Sequence, residues 1–152
     1  MSQLDLFGGK AEDCTFCKIV RGELQAHNVF EDDTTIAFLD NKPLFPGHCL
    51  LVPKKHRQTL GDLPPNEVAP LFSNAQLLSS AVERAMKAEG TFIGINNRVS
   101  QSVPHLHVHI VPRRRGDGLK GFFWPRTRYE TEGAATAVQD AIKTAIDELR
   151  RG

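Results

Sequence analysis

Three histidines at alternate positions, His105-Leu106-His107-Val108-His109, constrain this chain more than any other feature. Successive side chains of a strand point to opposite faces. The three imidazoles therefore share one face, and Leu106, Val108 and Ile110 share the other. The apolar set is expected to pack against a helix, leaving the rings displayed together on the solvent side. Three imidazoles in a row make poor core material, because each buried ring needs hydrogen-bond partners. Two chemistries use such a display. The rings can share a metal ion, or one ring can act as a nucleophile once a neighbour orients it. The strand alone leaves both open.

The surrounding pattern predicts what carries that strand. Asn28-Val29-Phe30-Glu31 and Thr35-Ile36-Ala37-Phe38-Leu39 flank Asp32-Asp33 and read as a hairpin. A third strand spans His48 to Val52, introduced by Pro46-Gly47 and stopped by Pro53. A helix starts near Asp62 or Pro64, with Val68, Leu71, Phe72, Ala75, Leu78, Val82 and Met86 on one face. Pro70 inside it predicts a kink or a late start, and Glu89-Gly90 a stop. Strands follow over Phe92–Asn96 and Val103–Val111. Ala134, Val138, Ala141, Ile142, Ala145, Ile146 and Leu149 then mark an amphipathic C-terminal helix. Short links between consecutive strands predict a single α+β domain, an antiparallel sheet of about five strands with two main helices. Residues 1–12 read as a lead-in, 13–113 as the core around the triad, and 114–152 as a basic and aromatic loop plus helix of the same domain.

With 19 basic and 18 acidic residues the net charge is +1, so no global field points to nucleic acid or a membrane surface. No secretory signal or spanning apolar run is visible, which predicts a cytoplasmic protein. Three cysteines argue against a disulfide framework. Two of them, Cys14-Thr15-Phe16-Cys17, have the spacing of metal or redox chemistry. Cys49, followed by Leu50-Leu51-Val52, reads as a small core residue, and His27 as a surface residue.

Gln101-Ser102-Val103-Pro104-His105-Leu106-His107-Val108-His109-Ile110-Val111-Pro112-Arg113 closely resembles the signature of the histidine-triad family of nucleotide hydrolases and transferases. Two more blocks match in order: Cys14 through Glu23, and Phe38-Leu39-Asp40 through Pro46-Gly47-His48 to His56. The resemblance covers Cys14 to Arg113. It implies that His107 is the nucleophile, attacking the α-phosphorus of a purine nucleotide derivative such as a nucleoside phosphoramidate or a dinucleoside polyphosphate. Water would then resolve the nucleotidyl-histidine and release a nucleoside monophosphate. His109 would meet the phosphate and leaving group. The family's transferase branch carries glutamine at that third position, so the histidine favours hydrolysis over phosphorylase or transferase activity. A binding module without turnover is disfavoured because every catalytic position holds a competent residue.

By the same resemblance Ser102 and Gln101 contact phosphate, with transition-state charge met by a hydroxyl and oriented N–H groups. Asp40 takes the ribose hydroxyls, as an acceptor-only carboxylate can. Phe16, Ile19, Leu24, Phe38 and Leu39 lie against the base, and His48 supports the site. The segment Asn96-Asn97-Arg98-Val99-Ser100 is short and free of glycine where the family has a longer glycine-containing loop. Either Asn96 or Asn97, with Asn97 preferred, would reach the substrate. Cys14, Cys17, His56 and His105 are implied as a closed, structural Cys₂His₂ zinc site, with no organic cofactor. A homodimer with a joined sheet is also implied. Arg113-Arg114-Arg115 could meet distal phosphates, and Phe122-Phe123-Trp124 could cover the core, a dimer interface or the pocket.

Overall fold

The computed structural model describes residues 13–120 and 125–152. The lead-in 1–12 and the aromatic run Phe122-Phe123-Trp124 lie outside the described residues. The chain divides into two compact units, one ending at Asp117 and one beginning at Gly118.

The first unit is built on a five-stranded antiparallel sheet, as the alternation predicted. Its strands are β1 (Asn28–Glu31), β2 (Thr35–Leu39), β3 (Cys49–Pro53), β4 (Gly90–Gly94) and β5 (Val108–Arg113), in the order β1-β2-β3-β5-β4. The β1–β2 turn is held by Asp32, whose Oδ1 accepts from the backbone N–H of Thr34 at 2.9 Å and of Thr35 at 2.8 Å. Gly47, at φ 97°, lies where a Cβ would come within 2.5 Å of Met86, and it delivers the chain to His48 and β3.

Helix α2 (Pro65–Ala85) lies against one face of the sheet. It buries Leu71, Ala75, Leu78 and Val82 with Ala37, Cys49, Leu51, Leu106, Val108 and Ile110. Cys49 is thus the core residue expected. The late start expected at Pro70 does not occur. The carbonyl its missing N–H would have met belongs to Asn66, which is exposed and can turn to water. The helix stops earlier than Glu89: Met86 caps it and Lys87 takes a left-handed φ of 52°.

Two strand boundaries also differ. β4 begins at Gly90. β5 begins at Val108, because Pro104 has no N–H and the next two amides turn elsewhere, His105 to Val103 O and Leu106 to Arg57 O.

The sequence reading missed helix α1 (Thr15–Val20), which spans six residues. Cys14 caps it, its Sγ accepting from the Cys17 N–H at 3.4 Å. Phe16, Cys17 and Ile19 then bury the second face of the sheet with Ile36, Phe38, Leu50 and Val52. This corrects the expected solvent display of the triad: His105 is 0% and His107 3% exposed, and only His109 is half-buried. A helix of six residues closes over a face that alternation alone left open.

The second unit contains α3 (Glu132–Arg151), capped by Thr131 Oγ1, which accepts from the Ala134 N–H at 3.0 Å. Val138, Ile142, Ile146 and Leu149 lie along one side, as the periodicity predicted, and are exposed. Among the described residues no helix is long and apolar enough to cross a membrane.

Candidate active site and metal centre

Each triad ring is fixed by a different backbone or side-chain partner, and the partner sets which nitrogen is bare. His107 Nδ1–H donates to the carbonyl of His105 at 2.7 Å, so its Nε2 lone pair faces outward. His105 Nε2–H donates to Pro53 O at 2.8 Å, so its Nδ1 is bare towards Cys14 and Cys17. His48 Nδ1 accepts from the Leu44 N–H at 3.1 Å, which places the proton on Nε2. That proton is donated to His109 Nδ1 at 3.0 Å, and His109 is left with an outward Nε2–H. These tautomers follow from the network of donors and acceptors. Sequence could not have supplied them, because two acceptors are carbonyls and one donor is an amide.

Burial holds the rings neutral. It lowers the pKa of His107, against the His105 carbonyl and Asp40, and that of His48, against Asp40. It lowers His109 to about 4, helped by His107 and His48, and lowers His105 to about 4. A neutral His107 with a bare Nε2 is nucleophilic at pH 7, and a neutral His109 still has one N–H to give. Phe16 stands edge-on to His107, ring centroids 5.1 Å apart, and to Phe38 at 5.3 Å. Asp40 Oδ1 accepts from the Lys42 N–H at 2.9 Å, while its Oδ2 lies 3.6 Å from His48 Nε2. One carboxylate thus shapes its turn and joins the histidine group.

The other expected contacts divide. Phe16, Ile19 and Phe38 are buried, whereas Leu39 and Leu24 are exposed. Ser102 is exposed on the run into the triad. Gln101 is engaged at both ends, its Oε1 accepting from the Arg98 N–H and its Nε2 donating to Gln58 O. Asn97 Oδ1 accepts from the Leu60 N–H at 2.9 Å, while Asn96 is exposed. These residues anchor the 97–101 segment to residues 58–60. Without glycine, the segment turns through left-handed φ values at Arg98 (68°) and Ser100 (60°). The arginine run is engaged as well. Arg113 donates to both oxygens of Asp117, Arg115 to Glu89, and Arg114 to the carbonyl of Met86.

Cys14, Cys17, His56 and His105 converge, with their four donor atoms within 4.8 Å of one another. Cys14 Sγ lies 3.3 Å from His105 Nδ1, and Cys17 Sγ lies 3.3 Å from His56 Nδ1 and 3.5 Å from His105 Nδ1. Sulfur and nitrogen sharing a tetrahedral zinc would stand about 3.5 Å apart. Two thiols and two imidazoles, one of them with its free nitrogen already aimed inward, fit that ion. Burial, reinforced by Cys14, pushes the Cys17 thiol up to about 12. Asp40, His48 and His109 form a second convergent group. Here the Leu44 amide keeps the proton on the very nitrogen of His48 that would ligate, and a cation is disfavoured.

The HIT domain family matches residues 21–116, and the chain belongs to this histidine-triad family. Adenylylsulfatase HINT3 of Arabidopsis thaliana is 40% identical over 109 residues, covering 70% of this chain and 55% of that protein. The asymmetrical bis(5'-nucleosyl)-tetraphosphatase of Schizosaccharomyces pombe is 40% identical over 83 residues, 53% of this chain and 46% of that one. The chain thus spans only about half the length of these two relatives. A zinc-bound histidine-triad family protein from Mycobacterium smegmatis has a similar crystal structure. It shares 33% identity at a TM-score of 0.68, covering 91% of this chain and 99% of its own.

Proposed function

We propose that the protein is a nucleotidyl hydrolase that passes the nucleotidyl group of a purine nucleotide derivative to His107 and then to water. The observation that carries this reading is the His107 tautomer, locked by the His105 carbonyl so that Nε2 presents its lone pair. Nε2 attacks the α-phosphorus, an N–P bond forms, and the bond from phosphorus to the leaving group breaks. The outward Nε2–H of His109 hydrogen-bonds the departing atom, and His48 keeps that tautomer in place. Water then attacks phosphorus, breaks the N–P bond and releases the nucleoside monophosphate. Asp40 takes the ribose hydroxyls through the acceptor capacity left beside its turn. Ser102 meets the phosphate oxygens. Gln101 and Asn97 act by holding the loop before the triad. The base lies towards Phe16, Ile19, Phe38 and Leu39. The relatives named as an adenylylsulfatase and a dinucleoside tetraphosphatase both support a nucleotide with a variable leaving group.

Cys14, Cys17, His56 and His105 hold zinc. When bound, the ion supplies a fixed positive centre that pins α1 and His105, with no open position for substrate. The protein acts in the cytoplasm as a homodimer paired along the free edge of β4, where Ile93 is 42% exposed.

Turnover in ¹⁸O-water of adenosine phosphoramidate, adenylyl sulfate and a diadenosine polyphosphate tests the reading. Label is expected in the adenosine monophosphate. Label in the leaving group would overturn attack at the α-phosphorus. Nucleoside diphosphate formed on adding phosphate would indicate a phosphorylase.

A further inference from the structure

The two thiols of the metal group lie beside the nucleophile and are joined to it by two short routes. Cys14 Sγ contacts His105 Nδ1 at 3.3 Å, and the carbonyl of that residue is the one that holds His107 Nδ1 at 2.7 Å. Phe16 sits between the cysteines in the chain and packs edge-on against both His105 and His107. Cys14 and Cys17 have their sulfurs within 4.8 Å of each other. Cys49 lies in the opposite core and offers neither thiol a competing partner.

We propose that Cys14 and Cys17 form a reversible oxidation site, closed to a disulfide by a small peroxide, and that closure expels the metal and frees His105. The step balances. In the metal-loaded chain both sulfurs are thiolates, because ligation requires their deprotonation. One of them attacks a peroxide oxygen, the O–O bond breaks, and a sulfenic acid forms as hydroxide leaves. The second thiolate attacks that sulfur, the S–S bond forms, and a second hydroxide leaves. Two protons convert both hydroxides to water, the sulfur pair loses two electrons, and the peroxide gains them. With both sulfurs in a disulfide the ion keeps only the imidazoles of His56 and His105, which is half its donor set. Exposures of 5% for Cys14 and 6% for Cys17 select the oxidant. Such low exposure favours a water-sized peroxide over a disulfide as bulky as oxidised glutathione.

Closure also neutralises the sulfur that caps α1 and weakens it as an acceptor, because Cys14 Sγ accepts the Cys17 N–H. Phe16 and the His105 carbonyl then lose their common anchor, and the His107 tautomer is no longer locked. The disulfide and the metal release stand on geometry alone. Their effect on turnover rests on the hydrolase reading.

The test uses the full zinc-loaded chain with hydrogen peroxide and a chromogenic zinc chelator. About one zinc per chain should appear in step with a 14–17 crosslink, roughly 2 Da lighter by peptide mapping, and dithiothreitol with added zinc should reverse both. Oxidised glutathione at the same concentration should react at least about tenfold more slowly. In the ¹⁵N ring spectrum of His107, the protonated Nδ1 signal should lose its single position on oxidation. Zinc retained after the disulfide closes would overturn the proposal, as would oxidation to sulfinic acid with no crosslink. If crosslink and zinc release occur but neither redox state turns over a nucleotide, the hydrolase reading fails and the oxidation site stands.

Discussion

On the α2 side of the sheet, a helix of 21 residues covers an apolar core. On the α1 side, a helix of six residues covers cysteines, histidines and a pair of phenylalanines. Both faces come from the same strands: in β5, Val108 and Ile110 look towards α2 while His109, paired with Leu50, looks the other way. The α2 face holds the sheet together through burial, which is non-directional and tolerant of detail. The α1 face depends on which nitrogen carries a proton and on donor distances of about 3 Å, which are directional and exacting. Damage to the first face should therefore cost stability. Damage to the catalytic rings of the second should cost chemistry.

His107→Ala gives the largest contrast. Activity should fall by at least about 10³-fold, some 4 kcal/mol in the barrier, because no other ring presents a bare Nε2 at that position. The melting temperature should drop by only a few degrees, although the ring is buried, since it is polar and makes a single hydrogen bond among the described residues. A folded variant that keeps a tenth of the rate would break the comparison.

Leu71→Ala, on the α2 side, should behave in reverse. Leu71 is 1% exposed, and its truncation should cost about 3 kcal/mol of unfolding free energy by leaving a cavity. The rate at low temperature should stay within about twofold of normal, a barrier change near 0.4 kcal/mol. Loss of activity equal to that of His107→Ala would mean that the two faces are not separable.

Removing metal probes the α1 face as a structure. Chelation, or Cys14→Ser, should lower the melting temperature by about 5–10 °C, roughly 2–3 kcal/mol for a domain of this size. The initial rate at low temperature should fall less. Metal analysis of protein purified without chelator checks the premise, and zinc-free protein that melts normally would sink it.

The smallest effect concerns Asp32, at the hairpin between the faces. Burial opposes its charge, but hydrogen bonds from the Thr35 and Thr34 amides and from Asn74 prevail and pull its pKa down to about 2. A depressed carboxyl stabilises the fold above its unfolded pKa of about 4, and that contribution is lost as pH falls towards 2. Asp32→Asn should cost about 1 kcal/mol at pH 7, measured by urea unfolding, and the two proteins should converge as pH approaches 2. A difference that persists there would show that charge is not the source.

Much of this was legible because it depends on local periodicity. The hairpin, β3 and the faces of α2 and α3 follow from side-chain alternation and helical spacing, whereas the grouping of the triad's first histidine with the CxxC pair was implied by the family resemblance. The errors fall where a distant group decides. The run into β5 stays irregular because Arg57 O takes the Leu106 amide. The arginine run, open to phosphates by sequence, is engaged by Asp117, Glu89 and the Met86 carbonyl.

The sequence by itself determined that three imidazoles would share a face and that two thiols would lie close together in a CxxC turn, because those are properties of a few neighbouring residues. Only the tertiary structure decided that α1 would fold over that face, burying His105 and His107. It also decided that the Pro53 and His105 carbonyls and the Leu44 amide would choose the proton on each ring. The reason is physical: every residue has a backbone donor or acceptor to offer, and which one lies about 3 Å from an imidazole nitrogen is settled only when distant segments pack.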